Sequence, residues 1–67
     1  MTDPRLYKLH CMRASYLEEK DFFSWWYLHG RIVYLEGGNY HWLRSSFPEF
    51  TEVARMGWLD EEADSKL

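Results

Sequence analysis

The residues of this 67-residue chain that could bind a metal ion are three histidines and one cysteine: His10, Cys11, His29 and His41. Zinc sites pair their ligands about two to four residues apart, so that both side chains converge on the ion. Here the close pair is His10 and Cys11, and adjacent residues of a helix point about 100° apart. The sequence holds no second pair. The spacing therefore predicts that these residues bind no metal, and we expect no cofactor.

Catalysis by other groups has equally little support in the pattern. Cys11 and a distant histidine could act as a nucleophile and its base, but so short a chain has little room for a shielded pocket with an oxyanion hole. The carboxylate pairs Glu18-Glu19 and Glu61-Glu62 are sequence neighbours, which diverge on a helix. Gly37-Gly38 lacks the flanking residues of a phosphate-binding loop. These patterns predict a protein that is not an enzyme.

The most informative residues are aromatic, and several of them fall between Phe22 and Leu28. A helix would spread these side chains around most of its circumference, and a chain of this size is too small to bury all of them. Large exposed apolar patches mark interaction sites, and Trp, Tyr and Arg dominate binding hot spots. We therefore predict a partner-binding set of Trp25, Tyr27, Arg31, Tyr40, Trp42 and Arg44. The alternative is that this aromatic segment is a dense core shared across a dimer.

A second set of apolar residues recurs at the three- and four-residue steps of a helix and is predicted to form a core or a dimer contact: Leu9, Met12, Tyr16, Phe23 and Trp26. Asp3-Pro4 suits a helix start, and the simplest interpretation is one helix from Pro4 to His29. The alternative is a break near Lys20-Asp21, with the aspartate capping a second helix. The unbroken helix would be about 39 Å long. Because one chain of this size cannot wrap such a helix, we predict a homodimer.

The middle of the chain is ambiguous between a hairpin and a helix. Arg31 to Leu35 is rich in β-forming residues, and Gly37-Gly38 before Tyr40 to Leu43 could make the turn of a hairpin. An isolated hairpin is barely stable, so we favour the interpretation in which the two glycines end a helix and Asn39 caps a short new one. Gly30 could stop the first helix, or lie within it where another backbone approaches closely.

The last element begins with Ser46-Phe47-Pro48-Glu49, which has the S-x-x-E pattern of a capping box. Gly57 stands where a helix stop belongs, and Trp58 after it suits the apolar contact that closes such an end. These signals predict a short C-terminal helix. Residues 60–67 form an acidic tail that we expect to be frayed.

Size and charge limit the classes of protein to which the chain can belong. Its length predicts a single domain spanning residues 1–67. The net charge of −3 argues against a nucleic-acid partner, because phosphate neutralisation needs a concentrated basic surface. The longest uncharged run, Phe22 to Gly30, is far shorter than the about 20 apolar residues of a membrane span. A single thiol and an N-terminus without signal-peptide features predict a cytoplasmic protein.

These observations predict a mainly α domain that binds and blocks a cellular protein through an aromatic surface. In size, aromatic load and acidity the whole chain resembles small phage-encoded host-takeover proteins, such as anti-activators of transcription and anti-CRISPR inhibitors. The resemblance involves no motif, and it implies a cytoplasmic protein, often dimeric, that occludes a surface of its target. An alternative is a DNA-binding regulator of the excisionase type, with Phe22–Gly30 in a helix-turn-helix and Arg31–Leu43 as a wing. A structural subunit of a larger complex is a third interpretation.

Overall fold

A computed structural model describes residues 4–66 as three α-helices and one short 3₁₀ helix. The helices are α1 (Pro4–Glu18), α2 (Phe22–Leu35), the 3₁₀ helix (Tyr40–Leu43) and α3 (Pro48–Ser65). No strand occurs within the described range, so the prediction of a mainly α fold is confirmed. None of these helices has the length and apolar character that crossing a membrane requires. The predicted cap at Asp3 lies outside the described residues.

The chain turns immediately after α1, so the predicted unbroken helix from residue 4 to residue 29 is wrong. Lys20 adopts the left-handed conformation with φ 59°. The Asp21 N–H donates to the Tyr16 carbonyl at 2.9 Å, and the Lys20 N–H donates to the Leu17 carbonyl at 3.0 Å. This is the Schellman pattern, in which a residue at positive φ closes a helix end. The sequence conceals the turn because lysine occupies the position that glycine usually takes.

Asp21 begins α2, as the alternative interpretation predicts. Its carboxylate accepts hydrogen bonds from the Ser24 N–H at 3.3 Å and from the Ser24 hydroxyl at 2.8 Å. A side-chain oxygen at this position satisfies an amide that the first helical turn leaves without a partner.

α2 ends at the two glycines, as the helical interpretation predicts. Gly37 has φ 72°, and the Gly38 N–H donates to the Val33 carbonyl at 2.8 Å. The Asn39 side chain then accepts from the His41 N–H at 2.9 Å and caps the 3₁₀ helix. The alternative interpretation as a hairpin, and the wing that depended on it, are therefore wrong.

α2 and α3 cross with their backbones in contact. A Cβ atom on Gly30 would overlap the carbonyl oxygen of Ala54, and one on Gly57 would overlap the carbonyl oxygen of Tyr27. Only glycine, which lacks a Cβ, fits at either position. Gly30 lies inside α2, in agreement with the second interpretation given above. The predicted helix stop at Gly57, with Trp58 closing the end, is wrong because α3 continues through both residues.

α3 begins at Pro48, and the predicted capping box is wrong. The N-cap residue is Phe47, whose side chain makes no capping hydrogen bond. Ser46 is exposed and lies outside the helix. The chain before the helix is held instead by the Thr51 hydroxyl, which accepts from the Ser45 N–H at 2.9 Å. At its other end α3 extends to residue 65, across most of the segment that we expected to be frayed.

α2 and α3 run in the same direction. Phe23 at the start of α2 packs on Phe50 at the start of α3, with ring centroids 5.2 Å apart, and Tyr34 near the end of α2 packs edge-on against Trp58 at 5.0 Å. α1 runs the opposite way, because Arg5 at its start contacts the last turns of α3. The core between α2, α3 and the 3₁₀ helix consists of the apolar side chains that are at most 6% exposed: Leu28, Ile32, Val33, Leu43 and Ala54.

Candidate protein-binding surface

Four phenylalanine rings gather where α2 and α3 begin, and we call this group the phenylalanine cluster: Phe22, Phe23, Phe47 and Phe50. The Phe50 ring lies at the centre, with centroids 6.4 Å from Phe22, 5.2 Å from Phe23 and 5.7 Å from Phe47, all in edge-on geometry. The three outer rings remain 44, 55 and 57% exposed, respectively. Trp26 stacks on Phe50 from the core side at 6.1 Å. The cluster is thus anchored to the core and open to solvent.

The first turns of α2 and α3 determine where the phenylalanine cluster lies. The Asp21 cap puts Phe22 and Phe23 in the first turn of α2, and Pro48 puts Phe47 and Phe50 on either side of the start of α3. Because α2 and α3 run in the same direction and their backbones touch, their first turns lie side by side. The cluster is therefore a consequence of the helix crossing, although its residues are far apart in sequence.

An apolar groove of about 530 Å³ adjoins the cluster between α1 and α2. Phe23 belongs to both, which makes the groove and the cluster one continuous apolar surface. The residues that line the groove are Arg5, Leu9, Met12, Tyr16, Phe23, Ser24, Tyr27, Leu28 and Arg31.

The residues predicted to form a core or dimer contact are brought together, but mostly as walls of this groove. Leu9, Met12 and Tyr16 lie on α1, which has no buried residue. Phe23 is 55% exposed, whereas Trp26 packs against the core. The homodimer prediction rested on one long helix, and the fold of α1 back along α2 removes that reason for it.

An ion-pair network around one buried carboxylate adjoins the groove, because Arg5 and Arg31 belong to both. Glu61 on α3 has no exposed surface, and its Oε2 accepts from Arg5 Nη2 on α1 and from Arg31 Nε on α2, each at 2.9 Å. Arg31 Nη2 also donates to Asp64 Oδ2 at 2.8 Å. Burial acts to lower the pKa of Arg31, but the hydrogen bonds and charges of Glu61 and Tyr27 outweigh it and leave that pKa raised. The network therefore joins all three α-helices.

Two residues of the predicted partner-binding set, Tyr27 and Arg31, belong to this network. The Tyr27 hydroxyl donates to Asp60 Oδ2 at 2.6 Å and accepts from Arg31 Nη1 at 3.1 Å. Burial, followed by the hydrogen bond to Asp60, raises the pKa of Tyr27. Both side chains also line the groove, but their polar groups are committed to contacts inside the protein.

Trp25, the third predicted partner-binding residue, is half-buried beside Arg13 of α1. Its ring stacks on His29 with centroids 5.0 Å apart, and the Arg13 guanidinium of α1 lies 5.3 Å from the ring centroid. Trp25 thus lies at the interface between α1 and α2 and is not part of the phenylalanine cluster.

The remaining three predicted residues lie around the 3₁₀ helix. Trp42 is 60% exposed and Tyr40 is 38% exposed, with Tyr40 edge-on to Trp58. Tyr40 and the exposed Arg44 line a second hollow, of about 570 Å³, together with Arg55. These residues are accessible, but the structure does not bring them to the phenylalanine cluster or to the groove.

Sequence reasoning did not select Phe22, Phe47 and Phe50 as binding residues. The incorrect capping box concealed Phe47, because it placed this residue inside a helix rather than before one. The signal that could have revealed the cluster is the spacing of Gly30, Ala54 and Gly57, since small residues let two helices pack closely.

Comparisons with protein-family models, with curated proteins and with solved structures gave no match for this chain. Within residues 4–66, no three His, Cys, Asp or Glu side chains are placed to hold a metal ion.

Proposed function

We propose that this protein binds an apolar segment of a partner protein on the phenylalanine cluster and the adjoining groove, and so blocks that segment from other contacts. The observation that carries the proposal is the exposure of Phe22, Phe23 and Phe47 around one central ring. Burying apolar surface contributes roughly 25 cal/mol per Å². A contiguous group of large rings left in water is therefore typical of an interaction site. The function needs neither a catalytic group nor a cofactor.

The position of Phe47 supports this proposal. It is the N-cap residue of α3, where Ser, Thr, Asp or Asn would satisfy a free amide and contribute about 1 kcal/mol. Phenylalanine supplies no such hydrogen bond, and 57% of its surface faces solvent. A residue that breaks a local structural rule without a gain in the fold is expected at functional sites.

The charges near the cluster favour a partner segment in which basic residues flank the apolar ones. In the chain, Glu18, Glu19 and Asp21 precede the cluster with only Lys20 among them, and Glu49 lies between Phe47 and Phe50. Asp21 and Glu49 offset the positive ends of α2 and α3, which leaves two exposed glutamates against one lysine. With a net charge of −3, the chain attracts basic segments and repels a second copy.

The test compares Phe47→Ser with the wild-type protein. Serine can cap α3, so we expect the variant to be folded and at least as stable, as measured by thermal unfolding. We also expect it to lose most of its affinity for a synthetic amphipathic helix that carries leucines flanked by lysines, measured by titration calorimetry. The same peptide with glutamates in place of the lysines should bind weakly to both proteins.

The matched control is Met56→Gln, because Met56 is as exposed as Phe47, at 57%, and lies on α3 outside the cluster and the groove. A protein captured from cell lysate after nuclease treatment should be retained by Met56→Gln and lost by Phe47→Ser. Equal binding of the peptide by both variants would show that the cluster is not the binding surface. Capture that disappears with nuclease would instead support a nucleic-acid partner.

A further inference from the structure

Arg13 of α1 joins two histidines through the same kind of contact. Its Nη1 donates to Nδ1 of His29 on α2 at 3.0 Å, and its Nη2 donates to Nδ1 of His10 at 3.2 Å. A guanidinium has only donors, so both Nδ1 atoms must be unprotonated acceptors. The Nε2 atoms face acceptors, since His10 Nε2 lies 2.8 Å from Glu36 Oε1 and His29 Nε2 lies 3.2 Å from the Trp42 carbonyl oxygen.

This arrangement requires both imidazoles to be neutral, with their protons on Nε2. Protonation of either Nδ1 would place an N–H against the Arg13 guanidinium, which removes a hydrogen bond and sets two positive charges side by side. Glu36 is the carboxylate that faces this group, and its Oε1 lies beside His10 Nε2. His29 has no such direct carboxylate contact among the described residues; its other neighbours are the rings of Trp25 and Trp26.

Polar side chains contribute much of the attachment of α1. This helix has no buried residue, and its side-chain hydrogen bonds to later parts of the described chain come from Arg5, His10 and Arg13. An element with few buried apolar contacts opens at low free-energy cost. α1 also carries Leu9, Met12 and Tyr16, which form one wall of the groove.

We propose that Arg13, His10 and His29 form a proton-sensitive latch that holds α1 against α2 at neutral pH and loosens it on acidification, which takes the groove apart. The consequence for binding rests on the proposed function, whereas the latch itself does not. Histidine is the side chain whose charge changes between about pH 5 and 8, and both ring nitrogens of each histidine are engaged here.

The direction of the pH effect follows from His29. Burial lowers the pKa of His29; the Trp42 carbonyl and Glu36 act to raise it and Arg13 acts to lower it further, and the net change is downward. A histidine whose pKa is lower in the folded than in the unfolded state binds fewer protons when folded. Its contribution to stability is therefore present above the ordinary pKa of about 6.5 and is lost as the pH falls below that value.

The experiment measures backbone amide protection factors by hydrogen exchange at about pH 7.5 and about pH 5.5. In the wild-type protein, protection in α1 should fall several-fold at the lower pH while protection in α3 is retained. The double variant His10→Gln/His29→Gln should lose this pH dependence. His41→Gln is the control, because this exposed histidine lies outside the latch, and it should behave like the wild type. Equal protection of α1 at both pH values, or an equal fall in α3, would overturn the latch.

Binding of the lysine-flanked peptide then tests the regulatory role. We expect its affinity to fall at the lower pH for the wild type and to be unchanged for the double variant. If exchange confirms the latch but binding is independent of pH, the latch does not regulate this surface. If Phe47→Ser has no effect on binding, the proposed function fails and the exchange result is unaffected.

Discussion

Glu61 illustrates how a single buried charge can organise this small protein. Its carboxylate has no exposed surface, and one oxygen, Oε1, has no hydrogen-bond partner among the described residues. Leaving a buried polar atom unpaired costs about 1–3 kcal/mol. The other oxygen accepts from both Arg5 and Arg31, and these two charge-assisted bonds offset that cost. Together with Asp64, the carboxylate links α3 to both α1 and α2.

We expect Glu61→Gln to lower the free energy of unfolding by about 2–3 kcal/mol, because it leaves the Arg31 guanidinium without its buried counter-charge. The measurement is urea unfolding followed by tryptophan fluorescence. Asp64→Asn is the matched control, since Asp64 contacts both arginines but its side chain is 48% exposed. It should cost less than about 1 kcal/mol. Equal losses in the two variants would contradict a special role for the buried carboxylate.

At the scale of the elements, the crossing of α2 and α3 determines where their first turns, and with them the phenylalanine cluster, lie. Gly30 and Gly57 let the two backbones meet, with Ala54 and Tyr27 opposite them. The contact places the first turns of both helices side by side and so creates the phenylalanine cluster. Backbone carbonyls cannot rotate away from an added side chain as a flexible side chain can, so the crossing tolerates no Cβ atom without separation of the helices.

Gly57→Ala should therefore destabilise the protein by about 1–3 kcal/mol through overpacking, even though alanine favours an isolated helix by about 1 kcal/mol. Thermal unfolding measures this loss. The control is Gly37→Asn, because Gly37 has nothing within 4 Å of an added Cβ and asparagine tolerates positive φ. A Gly57→Ala protein that is as stable as the wild type would mean that the helices do not cross at this point.

Signals that act locally in the sequence were sufficient to predict several elements. Gly37-Gly38 as a helix end and Asn39 as a cap follow from the chemistry of each residue and its immediate neighbours, whereas Asp21 as a cap was the alternative to the favoured unbroken helix. Lys20 could not be predicted in the same way, because a lysine at positive φ is held there by the surrounding chain. Likewise, Ser46 begins an S-x-x-E capping pattern, but the N-cap residue of α3 is the next residue, Phe47.

The sequence predicted exposed aromatic side chains, but it did not select Phe22, Phe47 and Phe50 of the phenylalanine cluster. Exposed aromatic side chains were expected from the size of the chain, and Trp42 and Tyr40 are exposed. Which helix turns meet depends on contacts between residues distant in sequence, and no local pattern records these. Glu61 shows the same limit, since an acidic residue near a chain end is ordinarily solvated and becomes buried here because Arg5 and Arg31 converge on it.

At the scale of the whole molecule, the apolar surface is large for so small a core. The buried apolar side chains are few, and Val33, Leu43 and Ala54 among them form one cluster between α2, α3 and the 3₁₀ helix. A chain of this length has too little volume to enclose thirteen aromatic residues. The excess lies on the surface, and in the phenylalanine cluster three of these exposed rings contact one central ring.

Light scattering after gel filtration should give the mass of one chain, 8.2 kDa, at micromolar concentration. The reason is that α1 folds back along α2 and that the net charge opposes self-association. Twice that mass would support the homodimer predicted from the sequence. If Phe47→Ser then restored the single-chain mass, a second copy rather than another protein would occupy the cluster.

The contact between Arg5 and the last turns of α3 determines where a tag or a fused domain would lie on this protein. It brings the beginning and the end of the described chain to the same pole of the molecule. The phenylalanine cluster lies at the opposite pole, roughly 27 Å away along the 18 residues of α3. A tag, a fluorophore or a tethered domain joined next to residue 4 or residue 66 would therefore lie at the pole far from the phenylalanine cluster and leave its rings accessible.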